Sequence, residues 1–329
     1  MSEAPEILKP LKTWSYLANK RRKPSEYEVV STNLHTQMEE GRWRHEIGAD
    51  VPMSQWYKRY RAEGLLRHAD WDAFRDPDQL VYRSYNLLQD GQETYVRGLF
   101  DQFNERGHDQ MLEADWVRTL ERFYTPTRYL FHGVQMASAY LHQIAPASTI
   151  TNCACFQAGD SLRWVSHTSY RTQELANGWN TQGFSLGGSE RNTWESDPAW
   201  QGMRKLIENM LVSYDWGESF FSINLIAKPV INSVVLGGLA KLARENNDML
   251  LDLLCQAQLR DAERHLRWTR ALVEMALLEP ANRDVLTSWK NKWMPLAEEA
   301  ASSFGDALGP GLSESCLQDL GTLHASLGI

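Results

Sequence analysis

Cysteine is scarce: Cys153, Cys155, Cys255 and Cys316 are the whole supply in 329 residues. None has the C-x-x-C spacing of a zinc site, and the C-x-C at 153–155, on a helical pattern, points its thiols apart. A disulfide scaffold is therefore not expected, and the four read as core thiols of a protein kept in a reducing cytoplasm. Long apolar runs are missing as well. No stretch approaches the roughly 20 apolar residues of a membrane helix, and the start Met-Ser-Glu-Ala-Pro-Glu lacks the apolar core of a secretory signal. Positive charge is in deficit, at a net -8, which argues against nucleic acid as a general partner because phosphates need a basic face. Strand-like alternation is nearly absent, and so are G-x-S-x-G, a Walker loop, G-x-G-x-x-G after a strand and H-E-x-x-H. These absences leave an all-α protein without a recognisable catalytic signature.

What is present is helical periodicity. Asp76-Pro77-Asp78 reads as a helix start, and Leu80, Tyr85, Leu88, Tyr95, Leu99 and Phe103 mark one face through to about Arg106. A second helix is expected over Glu113–Gln143 with a break at Thr125-Pro126, and a third from beyond Pro146 to Asn177-Gly178. Residues 178–189 are glycine-rich and read as a loop. Asp197-Pro198 repeats the start signal, and periodicity then extends to about Asn246, bent at Pro229 and Gly237-Gly238. Asn246-Asn247-Asp248 caps the next helix, which ends at Pro280, and a further helix is expected over Asn282–Phe304. Residues 1–75 differ in texture: they hold Trp14, Trp43, Trp56 and Trp71, lack a sustained period, and begin with a basic stretch (Lys9, Lys12, Lys20, Arg21, Arg22, Lys23). Exposed aromatics are costly, so this arm is expected to lie across its own bundle or a neighbouring chain. The expected organisation is an arm over 1–75, a bundle over 76–304 and a C-terminal tail over 305–329.

The pair of helices from Trp200 to Leu278 looks like half of a ferritin-type bundle, in which a two-iron site takes one carboxylate from a first helix and a Glu-x-x-His pair from the next. Here that pair is broken, because the residue three before His265 is Ala262. A scan of the nine histidines finds a carboxylate three residues earlier only at Glu105-Arg-Gly-His108, a lone pair at a helix end. His132 follows Tyr129 and His167 follows Trp164 at the same spacing. Asp215, Glu218 and Lys228 punctuate an otherwise apolar stretch and read as a buried polar network more readily than as a catalytic one.

Several strings resemble the beta subunits of the hydroxylases of bacterial toluene monooxygenases, within the soluble di-iron monooxygenases. They are Lys9-Pro-Leu-Lys-Thr-Trp-Ser15, Lys23-Pro-Ser-Glu-Tyr-Glu-Val-Val-Ser31, Asp76-Pro-Asp-Gln-Leu-Val-Tyr82, Asn86-Leu-Leu-Gln-Asp-Gly-Gln92, Ile144-Ala-Pro-Ala-Ser-Thr-Ile150, Asp197-Pro-Ala-Trp-Gln-Gly202, Asp215-Trp-Gly-Glu218 and Arg260-Asp-Ala-Glu-Arg-His265. The resemblance implies a ferritin-like, ribonucleotide-reductase-like bundle with an extended N-terminal arm. It implies a paired assembly of alpha, beta and gamma subunits in which alpha carries the di-iron centre and hydroxylates an arene with O2. Electrons would come from NADH through a reductase and a Rieske ferredoxin, and a small effector protein would regulate turnover. For this chain it implies no catalytic residue and no cofactor, with the ligand positions degenerate at Tyr129, His132, Lys228, Ala262 and His265. The first-helix carboxylate stays open among Gln89, Gln92 and Glu93. A lysine in place of a carboxylate would repel iron. Two other readings remain: an enzyme with its own di-iron site, and a helical binding module acting alone.

Overall fold

A computed structural model describes residues 24–32, 51–179, 183–184 and 188–329, and among these every regular element is a helix. In chain order they are α1 (Glu26–Ser31), α2 (Pro52–Tyr57), α3 (Tyr82–Glu105), α4 (Ala114–Thr119), α5 (Thr127–Ile144), α6 (Ser148–Gly178), α7 (Ser189–Ser196), α8 (Pro198–Leu211), α9 (Trp216–Glu245), α10 (Met249–Ala276), α11 (Asn282–Leu308) and α12 (Leu312–Leu327). Helices α5 and α6 pack along their length, α8 lies on α11, and α9 runs through the middle.

The central helix explains the apolar composition of its segment. By length and composition α9 is apolar enough to cross a membrane, yet 78% of its most apolar window is buried in the bundle. A helix surrounded on all sides has no polar face to keep. The periodic stretch expected from Asp197 to about Asn246 is divided at a further point, because Asp215 starts a new helix: its Oδ1 accepts from the Gly217 and Glu218 amides at 2.9 and 3.0 Å. Wide π turns over Ser222–Ala227 and Ile231–Gly237 flank Pro229. Proline has no N–H to donate, so it is accommodated where the i→i−4 ladder is already interrupted.

Other boundaries shift for similar local reasons. Helix α3 starts at Tyr82 rather than at Asp76, whose carboxylate accepts from the Asp78 and Leu80 amides at 3.0 and 3.1 Å and holds a turn instead. The face expected from Leu88 and Tyr95 is exposed, while Val96, Leu99 and Phe100 pack against Leu250 and Leu254. Sequence spacing alone mixed these two faces. The expected C-terminal tail is structured: residue 305 falls inside α11, and α12 buries Cys316, Leu320 and His324.

Trp56 and Trp71 of the arm pack within the chain, Trp56 beside Tyr60 and Tyr214 and Trp71 edge-on to Trp216. Trp14 and Trp43 lie outside the described residues. Cys153, Cys255 and Cys316 are buried thiols, whereas Cys155 is exposed on α6, as opposite directions along C-x-C require.

Candidate functional site

Four helices meet at a buried polar cluster. Helix α3 supplies Gln89, α6 supplies Asp160, Arg163 and Trp164, α9 supplies Lys228, and α10 supplies Asp261, Arg264 and His265. Asp160 accepts from Tyr85 Oη at 2.9 Å, Gln89 Nε2 at 2.6 Å, His265 Nε2 at 2.7 Å and the Arg264 guanidinium. Asp261 accepts from Gln89 Nε2 at 3.1 Å, Trp164 Nε1 at 3.1 Å, Arg163 Nη1 at 3.3 Å and Arg264 Nη2 at 3.2 Å. Each carboxylate thus accepts from several donors, with Gln89 and Arg264 shared between the two, the condition under which a buried charge is tolerated.

Within the cluster the same Asp-x-x-Arg spacing recurs at Asp160–Arg163 and Asp261–Arg264, and the pairs exchange partners across the helix interface. An i, i+3 pair shares one face of its helix, so two facing copies can interlock. The spacing also occurs at Asp72–Arg75 and Asp115–Arg118, so it does not by itself single out the two facing copies. Glu93 closes the outer edge, bonded to Arg163 Nε at 2.7 Å and to His167 at 2.9 Å, and the bonds from His167 first and from Arg163 draw its carboxyl down to about 2 against burial.

Lys228 gives the cluster its character. Its ammonium stands 2.9 Å from His265 Nδ1 and 5.1 Å from the Trp164 ring centroid. Burial lowers the lysine to about 8 against the pull of Asp160 and Asp261. Burial, reinforced by Lys228 and Arg264, holds His265 well below its ordinary value, so the imidazole is neutral. Its Nε2–H donates to Asp160, and its Nδ1 lone pair accepts from the ammonium.

The expected positions separate. Lys228 and His265 touch, and Ala262 lines a cavity beside them. Tyr129 and His132 are elsewhere: Tyr129 stacks on Trp194, and His132 is exposed on α5. The α6 face carrying Asp160 and Trp164, rather than the α5 face carrying His132, looks onto α10. Asp215, Glu218 and Lys228 do not form one network either; Asp215 caps α9, Glu218 accepts from Trp293 at 2.9 Å, and Lys228 meets His265. His108 bonds to Asp248 at 3.1 Å, not to Glu105, which is exposed.

An iron pair does not fit these donors. Coordination needs a free imidazole lone pair and free carboxylate oxygens. Here a cation occupies the lone pair, and two guanidiniums occupy the carboxylates.

The lysine makes stability depend on pH in a defined window. Between about 8 and the ordinary 10.5 the folded chain binds fewer protons at Lys228 than the unfolded chain, so stability rises with pH there and the full cost of burying the charge applies below about 8. Relative to Lys228→Met, the wild type should gain roughly 3 kcal/mol at full extent across that window. Chemical denaturation of both proteins from pH 7 to 10 checks it; parallel curves would show that Lys228 titrates normally.

The described residues thus form a bundle of helices closed at its centre by ion pairs. Residues 51–280 match the profile of the Methane/Phenol/Alkene Hydroxylase family, and the chain belongs to that family. It is 54% identical, over 91% of both chains, to the hydroxylase component subunit beta of the toluene-4-monooxygenase system of Ectopseudomonas mendocina. It is 25% identical to an oxygenase component of phenol 2-monooxygenase of Pseudomonas sp. strain CF600, over 71% of this chain and 70% of that one. Among solved structures, one of toluene 4-monooxygenase with toluene bound in the resting active site superposes at a TM-score of 0.85, 52% identical, covering 92% of this chain and 99% of that one. Phenol hydroxylase from Pseudomonas sp. OX1 shares the fold at a TM-score of 0.85 and 21% identity, covering 99% of this chain and 98% of that one.

Proposed function

We propose that the chain is the non-catalytic beta subunit of a multicomponent arene monooxygenase hydroxylase, acting by packing against a di-iron alpha subunit. On this reading the bundle is a ferritin-like copy whose ligand positions are degenerate at Lys228, Ala262 and His265, and the catalytic iron belongs to alpha. The assembly is the paired (αβγ)2 form in the cytoplasm, with a reductase, a Rieske ferredoxin and an effector protein completing the system. The 54% identity to a subunit of that name supports the assignment, as does the preoccupied donor set at Lys228 and His265.

The observation that carries the packing role is the outer face of α3. Leu87 is 66% exposed, and Leu88 and Tyr95 are exposed beside it. Gly91 and Gly98 lie on the same face, and a Cβ added at either would meet nothing within 4 Å. Glycine inside an exposed helix costs about 1 kcal/mol each against alanine, and a large apolar side chain gains nothing in water. Both make sense where another helix approaches closely.

The test is Gly91→Trp with Gly98→Trp, co-expressed with the alpha and gamma subunits. Because the added side chains meet open space, the chain alone should melt within about 2 °C of wild type, while co-purification of alpha should fall at least 10-fold. Undiminished co-purification would falsify the role of this face.

A further inference from the structure

A cavity of about 450 Å³ lies between α9, α10 and α12, and the buried residues Lys228, Ala262 and His265 line it. Leu266, Leu320 and Leu323 supply apolar wall, and the Ala262 side chain stops at Cβ, so it takes up little of the space beside His265. At the rim, Ser233 bonds Asp319 at 3.0 Å and Arg270 bonds Ser326 at 2.9 Å, tying α12 to α9 and α10.

An amine, an imidazole and a carboxylate stand in a row here. Lys228 Nζ is 2.9 Å from His265 Nδ1, and His265 Nε2 is 2.7 Å from Asp160 Oδ2. A nucleophile within hydrogen-bond reach of a base, with a third group orienting that base, is the arrangement that activates a nucleophile. Lys228 also differs from the other cations of the cluster. Arg163 and Arg264 bond carboxylates directly, whereas among the described residues His265 is the sole hydrogen-bond partner of Lys228 Nζ. After loss of one proton an N–H can still donate to His265, and the nitrogen lone pair is unclaimed. Burial, which brings the lysine to about 8, puts that loss within reach near neutral pH.

The charges around the amine decide what it can take. Arg163, Arg264 and Lys228 stand against Asp160, Asp261 and Glu93, three cations to three carboxylates. An acyl donor would leave a neutral amide at Lys228, and carbon dioxide would leave an anionic carbamate. Either would strand buried carboxylate charge. An aldehyde gives a protonated imine, which keeps the positive charge on the same nitrogen.

We infer that Lys228 is a Schiff-base-forming lysine that condenses with a small aliphatic aldehyde, whose chain lies along Leu266, Leu320 and Leu323. The ammonium passes one proton to His265 Nδ1. The freed lone pair attacks the carbonyl carbon and forms the C–N bond, while the carbonyl π pair moves to oxygen, which takes a second proton from the nitrogen. His265 returns its proton to the resulting hydroxyl, the C–O bond breaks and water leaves. Lys–NH3+ and RCHO thus become Lys–NH+=CHR and H2O, with no oxidant or reductant. The inference does not rest on the subunit assignment, because every group in it belongs to this chain.

Hexanal with sodium cyanoborohydride at pH 8 traps the imine as a hexyl secondary amine. Peptide mass spectrometry of the full chain, in the assembly in which it is purified, then compares Lys228 with the exposed Lys241. At limiting reagent Lys228 should be alkylated about 10-fold faster than Lys241 or more, because more of it is neutral. That ratio should fall when formaldehyde, which has no chain to seat, replaces hexanal. Leu323→Trp, which fills the cavity from α12, and His265→Gln, which removes the base, should each slow Lys228 labelling about 10-fold or more and leave Lys241 unchanged. An unlabelled Lys228, a rate no greater than that of Lys241, or equal Lys228 labelling in wild type and Leu323→Trp would each overturn the inference. A failure of assembly in the α3 variants would leave these rates untouched, so the two readings fail separately.

Discussion

Asp248→Ala should lower the stability of the chain by about 3–5 kcal/mol, the cost of leaving a buried charge without its partner, and its melting temperature by roughly 10 °C. Arg171 is fully buried on α6, and its guanidinium bonds Asp248 at 2.7 and 2.8 Å and Asp109 at 3.0 Å. Asp248 also accepts from Trp116 Nε1 at 3.0 Å and caps α10 through the Leu251 amide at 3.1 Å. The substitution therefore strands an arginine, an indole and a helix end together. Burial opposes ionisation of Asp248, but Arg171, with His108 and Trp116, holds its carboxyl well below the usual range. A carboxyl with a depressed value contributes fully above its unfolded value of about 3.8 and loses that contribution as pH falls below it. The difference between wild type and variant should shrink correspondingly in acid. Asp78→Ala removes the same chemical group from the Arg267 pair, whose side chains are 25% and 50% exposed, and should cost less than about 1 kcal/mol. Denaturant titration of both variants gives the comparison. Equal losses would mean that burial does not set the worth of these pairs.

Gly202→Leu should be nearly as severe, for a steric rather than an electrostatic reason. A Cβ at Gly202 would stand 2.5 Å from the backbone oxygen of Glu299 and would also meet Ser303 Oγ. Backbone cannot rotate aside as a side chain does, so α8 and α11 must separate. Their shared core includes Trp200, edge-on to Phe304 at 4.7 Å. Overpacking of this kind costs typically 1–3 kcal/mol and occasionally more, and about 3 kcal/mol is expected because the obstruction is main chain. Gly321→Leu on α12 is the control, since nothing lies within 4 Å of its added Cβ; there the gain in helix propensity should stabilise by a few tenths of a kcal/mol or more. Thermal melts that rank the two substitutions the other way would contradict the close approach of α8 and α11.

These cases separate what could be read early from what could not. Gly202 falls in one of the strings that carried the family resemblance, but the string does not say what Gly202 faces. The helical character of the chain and its breaks at Thr125-Pro126 and Asn246–Asp248 are legible, because they depend on neighbours within a turn or two. The start of α3 was misplaced because Asp76 turns the chain with its own side chain, a local competition that spacing does not reveal. The two faces of α3 were confused because leucine and tyrosine occur on both, and an aromatic or aliphatic residue looks the same in sequence whether it meets a core or a partner.

The sequence by itself determined that this is an all-α chain of its family, with alanine three residues before His265. Only the tertiary structure decided that Asp160, rather than His132, faces His265, that Lys228 occupies the imidazole lone pair, and that two Asp-x-x-Arg copies interlock. The physical reason is range. Helical periodicity encodes which residues share a face, whereas the pairing of faces 105 residues apart, as for Asp160 and His265, follows from how whole helices pack, and no residue pattern within either helix records it.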